Sequence, residues 1–344
     1  MDNLRWIRFA VIIIALAIVV IILKELKAVF IPLIFALFLS FLFMPLQRWM
    51  KRHGIPKVIS ITLMVVIIFV TFTVVGTLVY TGVTTFLDSL PQFIGNVAHL
   101  IEDIALRFEL PLQQVQQTVR NINWTDMFDR FRLQDRMQET LGTFADFLFK
   151  LVMTIFFMIF IVAGRERFVV RLSKAMTTVE QKHSESIFIQ IEEQIIRYLF
   201  TKTFISLATA LVGMFFVWAF GVEFVIVSGL LLFFLNFIPN IGSIVASIFP
   251  IIVCFFQYGF SWRLVGLAVT LTLTQMTFGN LIEPKLVGTQ LNISPVFILI
   301  SLIFWAWVWG PVGMVLAVPF AAAIHIIAKE FDSLRLLSAM LSDD

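Results

Sequence analysis

The sequence predicts an all-α, polytopic integral membrane protein, and three observations carry that prediction. Of the 344 residues, 60% are hydrophobic and only 14% are charged, where a soluble domain has about 25% charged residues. The mean hydropathy is +0.98. Uncharged apolar runs recur at close to the length a bilayer demands, about 20 residues at roughly 1.5 Å each. Thirty-nine Phe against three Tyr favour the aromatic that needs no hydrogen-bond partner. A water-soluble enzyme of this size is excluded, because its polar side chains could not cover its surface. Cys254 is the only cysteine, so a disulfide scaffold is excluded too. The four histidines, His53, His99, His183 and His325, are too scattered to suggest a metal site. A net charge of +3 gives no sign of a nucleic-acid partner. The expected partner is the lipid bilayer.

Phe9–Leu23 follows Arg5 and Arg8 like the start of a signal peptide, but no small-residue cleavage site comes after it. It reads as a retained first span. Ala28–Leu46, with Pro32 and Pro45 near its ends, is the second. Val58–Thr81 is the third and Phe147–Ala163 the fourth. From Thr203 to Ile282 there are only two charges, Glu223 and Arg263. Short polar breaks cut that block into four apolar pieces. The middle two, Phe224–Ile238 and Ser243–Gln257, would each be roughly 22 Å long as helix. They read either as tilted companions or as the arms of a re-entrant hairpin. Ser294–Trp309 and Pro311–Ala328 close the series, which gives eight spans if the middle pair is re-entrant and ten if it crosses.

Both counts are even, so both termini share a side. Arg48, Lys51, Arg52 and Lys57 follow span two, and Arg165, Arg167, Arg171 and Lys174 follow span four. The positive-inside rule puts these loops, and both termini, in the cytoplasm. The segment Gly82–Asp146 holds nine acidic and five basic residues, which suits the outer face. Within it Trp124, Met127, Phe128 and Phe131 repeat with helical spacing and predict an amphipathic helix. Gly164–Lys202 reads as cytoplasmic, its latter half a helix running straight into the fifth span. The chain thus divides into membrane helices over 1–81 and an extramembrane amphipathic helical segment over 82–146. A membrane helix over 147–163 and a cytoplasmic helical segment over 164–202 follow. The rest is a C-terminal membrane core over 203–328 and a cytoplasmic tail over 329–344.

Asn236, Pro239, Asn240 and Gly242 interrupt the most apolar part of the chain. Broken helix at membrane depth survives only when buried in protein or lining a wet cavity, and such breaks are the best sequence pointer to a transported substrate. The two amides and the freed backbone groups could hold a polyhydroxylated solute or an ion. The competing reading is an ordinary turn at the membrane surface. Glu283, at the edge of the same block, could carry a proton or could be a solvated helix-end residue paired with Lys285. Gln275 and Asn280 are five apart, about 140° around an α-helix, so they share a face only loosely. They read as helix contacts or as solute contacts. Gly310, Pro311 and Gly313 make a tight connection or a hinge, and Trp305, Trp307 and Trp309 read as an interfacial aromatic belt. No catalytic constellation is legible. The apolar runs contain no Asp pair, no serine–base pair and no phosphate loop. Nothing calls for a cofactor.

The segments Asn236–Ser243 and Phe278–Gly288, with Ser301–Trp305, Gly310–Met314 and Ala317–Pro319, resemble the signature segments of the AI-2E family of bacterial inner-membrane transporters. The likeness covers essentially the whole chain and is most specific after Tyr198. It looks closest to the branch that exports autoinducer-2, the quorum-sensing molecule. It therefore implies a secondary transporter of the inner membrane that moves autoinducer-2 or a similar small polar metabolite by alternating access, with 203–328 as the transport core. Sodium(lithium)/proton antiport is the alternative within the family, and a proton or sodium ion is the coupling partner it implies. A passive oligomeric channel or membrane scaffold is the alternative from another class. The resemblance also implies a homo-oligomer, a pentamer.

Overall fold

The computed structural model describes residues 2–107, 146–165, 178–239, 241–287 and 293–330. The described chain is helical. Its elements are α1 (Asp2–Glu25), α2 (Lys27–Leu42), α3 (Met44–Arg52), α4 (Lys57–Arg107), α5 (Asp146–Arg165) and α6 (Thr178–Ala219). Then come α7 (Val225–Leu235), α8 (Ile241–Tyr258), α9 (Trp262–Gln275), a π-helical segment (Met276–Ile282), α10 (Glu283–Val287), α11 (Pro295–Trp309) and α12 (Pro311–Glu330). The predicted amphipathic helix around Trp124–Phe131 lies outside the described residues.

Six helices are long and apolar enough to cross a bilayer, and α2 with α3 makes a seventh if that bent pair is one span. The eight spans expected from the sequence count α1 and the fifteen-residue α11 in addition and leave out α8, which is one of these six. The bend between α2 and α3 is 44°. Pro45 in the first turn of α3 has no N–H to continue the ladder, and proline is tolerated there because that donor would be unpaired anyway. The middle hairpin departs from the expected pair of equal arms. α7 has 11 residues and α8 has 18, so only the second is long enough to cross. The third span does not stop at Thr81, because α4 continues for 51 residues through Pro91. By contrast, α6 is the single helix that the sequence predicts from the cytoplasmic segment into the fifth span.

The chain divides into two compact units. Unit 1 comprises Met1–Ile68, Leu148–Thr201 and Val287–Asp344, and unit 2 comprises Phe69–Phe147 and Lys202–Leu286. In unit 1, α11 and α12 pack as a hairpin. Trp305 stacks on Phe320 at 4.2 Å, and Trp309 lies 5.0 Å from Trp305. The Trp309 indole N–H donates to the Leu23 carbonyl at 2.9 Å. Two of the three tryptophans expected at the interface are therefore core residues. Only Trp307 is exposed, with the Lys24 ammonium 4.4 Å over its ring. On α5, Phe149, Val152, Phe156 and Phe160 are exposed while Leu151, Thr154, Met158 and Val162 are buried. An outward stripe of large apolar side chains suits lipid and not water.

Unit 2 is built on Ala210, Val217, Leu232, Ala246, Val253, Leu267 and Leu271. Two glycines let its helices approach closely, Gly213 beneath Leu232 and Gly229 against Met214. The extension of α4 belongs to this unit. Phe86 and Phe93 pack against Phe224, Phe249 and Phe256, and the Asn96 amide donates to the Phe256 carbonyl at 3.1 Å. A helix that finds such partners continues past a proline, which removes only one ladder bond.

Candidate functional site

The site in unit 2 starts from α6. Lys202, Ser206 and Thr209 are spaced i, i+4 and i+7, so they form one stripe along the helix. All three are buried. A polar stripe in so apolar a helix must be matched by partners, because hydrocarbon offers none. Thr209 satisfies itself by donating to the Ile205 carbonyl at 2.8 Å. Ser206 Oγ accepts from Asn236 Nδ2 at 3.0 Å. Lys202 Nζ donates to Glu283 Oε1 at 2.5 Å. The stripe thus joins the end of α7 to the start of α10.

Asn236 is the C-cap residue of α7 and is 6% exposed. Beyond it the chain turns tightly. Ile238 N–H donates to the Leu235 carbonyl, Ile241 N–H to Pro239 and Gly242 N–H to Ile238. Pro239, half-buried, cannot donate, so α7 ends there and α8 starts afresh. Gly242 is buried because the Leu235 carbonyl oxygen fills the space a Cβ would need. Any side chain at position 242 would push the break apart. Asn240 lies outside the described residues.

Gln275 ends α9, and both of its amide atoms are buried without a protein partner. The chain then winds into the π-helical segment, where Glu283 N–H donates to Phe278 O, five residues back. Such segments are rare and collect at functional sites. Asn280 is exposed and joins neither pair. Glu283 is half-buried and bonds Lys202, 81 residues away, in place of the neighbouring Lys285 that the sequence suggested. Lys285 is exposed.

Of the expected residues, the structure links Asn236 and Glu283 to one polar stripe and folds Pro239 and Gly242 into the turn beside Asn236. Gly310, Pro311 and Gly313 belong to unit 1. Gly310 caps α11 at φ +65°, a conformation glycine adopts without strain. Gly313 is buried, with the Trp305 carbonyl where its Cβ would be. Sequence reasoning missed Lys202, Ser206 and Thr209. The signal was present, a helical repeat of polar residues at the mouth of the most apolar block, but Lys202 served there only as the block's boundary.

Unit 1 carries a second buried charge that the sequence reading did not single out. Glu192, on α6, is 3% exposed and accepts from two arginines. Arg165 Nη2 lies 2.5 and 2.6 Å from its two oxygens, and Arg48 Nη2 lies 3.0 Å from Oε1.

Comparison with known proteins bears on what such an arrangement does. The model of a family described as AI-2E family transporter matches residues 9–332. An AI-2 transport protein of Escherichia coli strain K12, TqsA, is 30% identical over 320 residues, covering 92% of this chain and 90% of its own. A Haemophilus influenzae protein provisionally named for transport is 29% identical over 341 residues, 95% of each chain. A second Escherichia coli K12 protein, YhhT, also provisionally named for transport, is 28% identical over 320 residues, 92% of this chain and 89% of its own.

Proposed function

The chain belongs to the AI-2E family of membrane transporters, and on that premise we propose that it is a secondary carrier of the bacterial inner membrane. Its solute is autoinducer-2 or a similar small polar metabolite, exported by alternating access, with both termini in the cytoplasm and several copies assembled together. The observation that carries the reading is the Asn236 amide, buried at a helix break and bonded to Ser206 on α6. A single turn along α6 separates that bond from the Lys202–Glu283 pair. A buried amide beside a charged pair, in the only region where the apolar block is broken by Pro and Gly, has the chemistry to recognise a hydroxylated solute.

Counterflow in inverted membrane vesicles tests this. A carrier accelerates labelled solute when unlabelled solute waits on the far side, a channel does not, and a scaffold moves nothing. Asn236→Leu should assemble normally and bind the solute roughly 5- to 150-fold more weakly, the equivalent of about 1–3 kcal/mol. Wild-type transport by that variant would reduce the break to a turn. Sodium(lithium)/proton antiport is the second reading, and the half-buried Glu283 carboxylate favours it, since a carboxylate at membrane depth is the group that exchanges a cation for a proton.

A further inference from the structure

We propose that Lys202 is a tethered cation that occupies, against Glu283, the position a free sodium or lithium ion would otherwise take, so that unit 2 holds a latent alkali-cation site closed by its own side chain. The proposal rests on the reading of unit 2 as the transporting unit and decides between that reading's two versions. Lys202 is the only charged side chain of unit 2 that is buried among the described residues. Its own side chain is 5% exposed and that of Glu283 is 23% exposed, so the cation is the enclosed partner and the acid the accessible one. The contact is a direct 2.5 Å bond from ammonium to carboxylate.

Hard cations bind through oxygen. Among the described residues the oxygen bonded to Lys202 is that of the Glu283 carboxylate, while Ser206, one turn along α6, is engaged by the Asn236 amide. That carboxylate, 23% exposed and completed by water, could serve a small cation, and the ammonium holds it. Adding a metal ion while Lys202 remains would set two positive charges against one carboxylate in a low-dielectric site, which is unfavourable. Lys285, the other cation near Glu283 in sequence, is exposed and leaves the enclosed position to Lys202. It follows that the native chain needs no sodium to complete this site, and that removing the ammonium leaves an unpaired, half-buried carboxylate that a cation in solution can neutralise.

The test uses the purified full-length protein in detergent at pH 8, with thermal midpoints in sodium, lithium and choline chloride at equal ionic strength and radioactive sodium binding by equilibrium dialysis. The wild type should give the same midpoint in all three salts and no saturable sodium binding. Lys202→Met should bind sodium saturably, about one ion per chain, and its midpoint should rise with sodium or lithium above choline. Successive tenfold increases beyond the dissociation constant should add equal increments, as mass action requires. Lys202→Met combined with Glu283→Gln should lose both responses, and Lys202→Arg should behave as wild type. Saturable sodium binding by the wild type that Glu283→Gln abolishes would overturn the proposal, as would a folded Lys202→Met that ignores sodium. If Lys202→Met is recovered folded only from sodium-containing buffer, that is the same response in stronger form; if it is not recovered at all, the wild type and Glu283→Gln decide. The assay reads ion binding, so failure of the solute-carrier reading shows separately, in counterflow.

Discussion

Among the described residues each unit buries one charged side chain, and the two are arranged in opposite ways. In unit 1 the acid is enclosed and the bases are the more exposed partners, with Glu192 at 3% between Arg48 at 53% and Arg165 at 33%. In unit 2 the base is enclosed and the acid is the more exposed partner. Glu192 accepts three hydrogen bonds from two guanidinium groups, whereas Glu283 meets one ammonium. Arginine keeps its charge and offers a planar fork, while lysine is a point charge on a flexible stem that can be replaced or can give up its proton. The first arrangement clamps three helices of unit 1. The second leaves its acid the more accessible member, the one that could take another partner. Burial of charge alone therefore does not tell the two pairs apart; which partner is left reachable does.

Glu192→Gln tests the contrast most severely. It leaves two arginines facing a neutral amide, and breaking a buried ion pair costs about 3–5 kcal/mol. The thermal midpoint in detergent should fall further than for Glu283→Gln or Arg48→Ala, with monodispersity lost on gel filtration. Glu283→Gln should cost less, about 1–3 kcal/mol for the lost charge-assisted bond, and its transport should no longer respond to an imposed pH gradient while exchange persists. If the two variants lose equal stability, unit 2 is clamped as firmly as unit 1 and the contrast fails. Arg48→Ala should matter least. Its side chain is 53% exposed and makes one bond of 3.0 Å to Glu192, and exposed pairs contribute about 0–1 kcal/mol. A loss as large as that for Glu192→Gln would show that Arg48, and not Arg165, holds the carboxylate.

The fold was legible where the membrane dictates it. Hydrocarbon forces each segment to satisfy its own backbone, so the apolar runs mark the helices directly, and Pro239 and Gly242 mark the break between α7 and α8. What the runs could not reveal were contacts between distant segments. Lys285 lies two residues from Glu283, yet the partner is Lys202, because pairing depends on which helix face meets which. Gln275 and Asn280 were placed by α-helical geometry, and the chain between them winds as a π-helix, for which no residue pattern gives notice. Trp305 and Trp309 were assigned to the interface by type; the Phe320 ring and the Leu23 carbonyl draw them inside instead. Likewise α4 continues past Thr81 because Phe86 and Phe93 find aromatic partners that no local signal announces.

The π-helical segment also changes how the chain should tolerate the loss of a residue. In an ordinary span a deletion turns everything beyond it by about 100° and draws it back about 1.5 Å, which would carry Glu283 away from Lys202. A π turn holds one residue more than an α turn, so Met276–Ile282 already contains the residue that a deletion would remove. Gly279 has open space around it, and its loss forfeits no packing. A chain lacking Gly279 should wind through as α-helix with both flanks in register, staying monodisperse and as thermally stable as the parent to within about 1 kcal/mol. A chain lacking Val269, within α9, should not. The segment is a place where the length of this protein can drift by one residue while its charged pair stays in register.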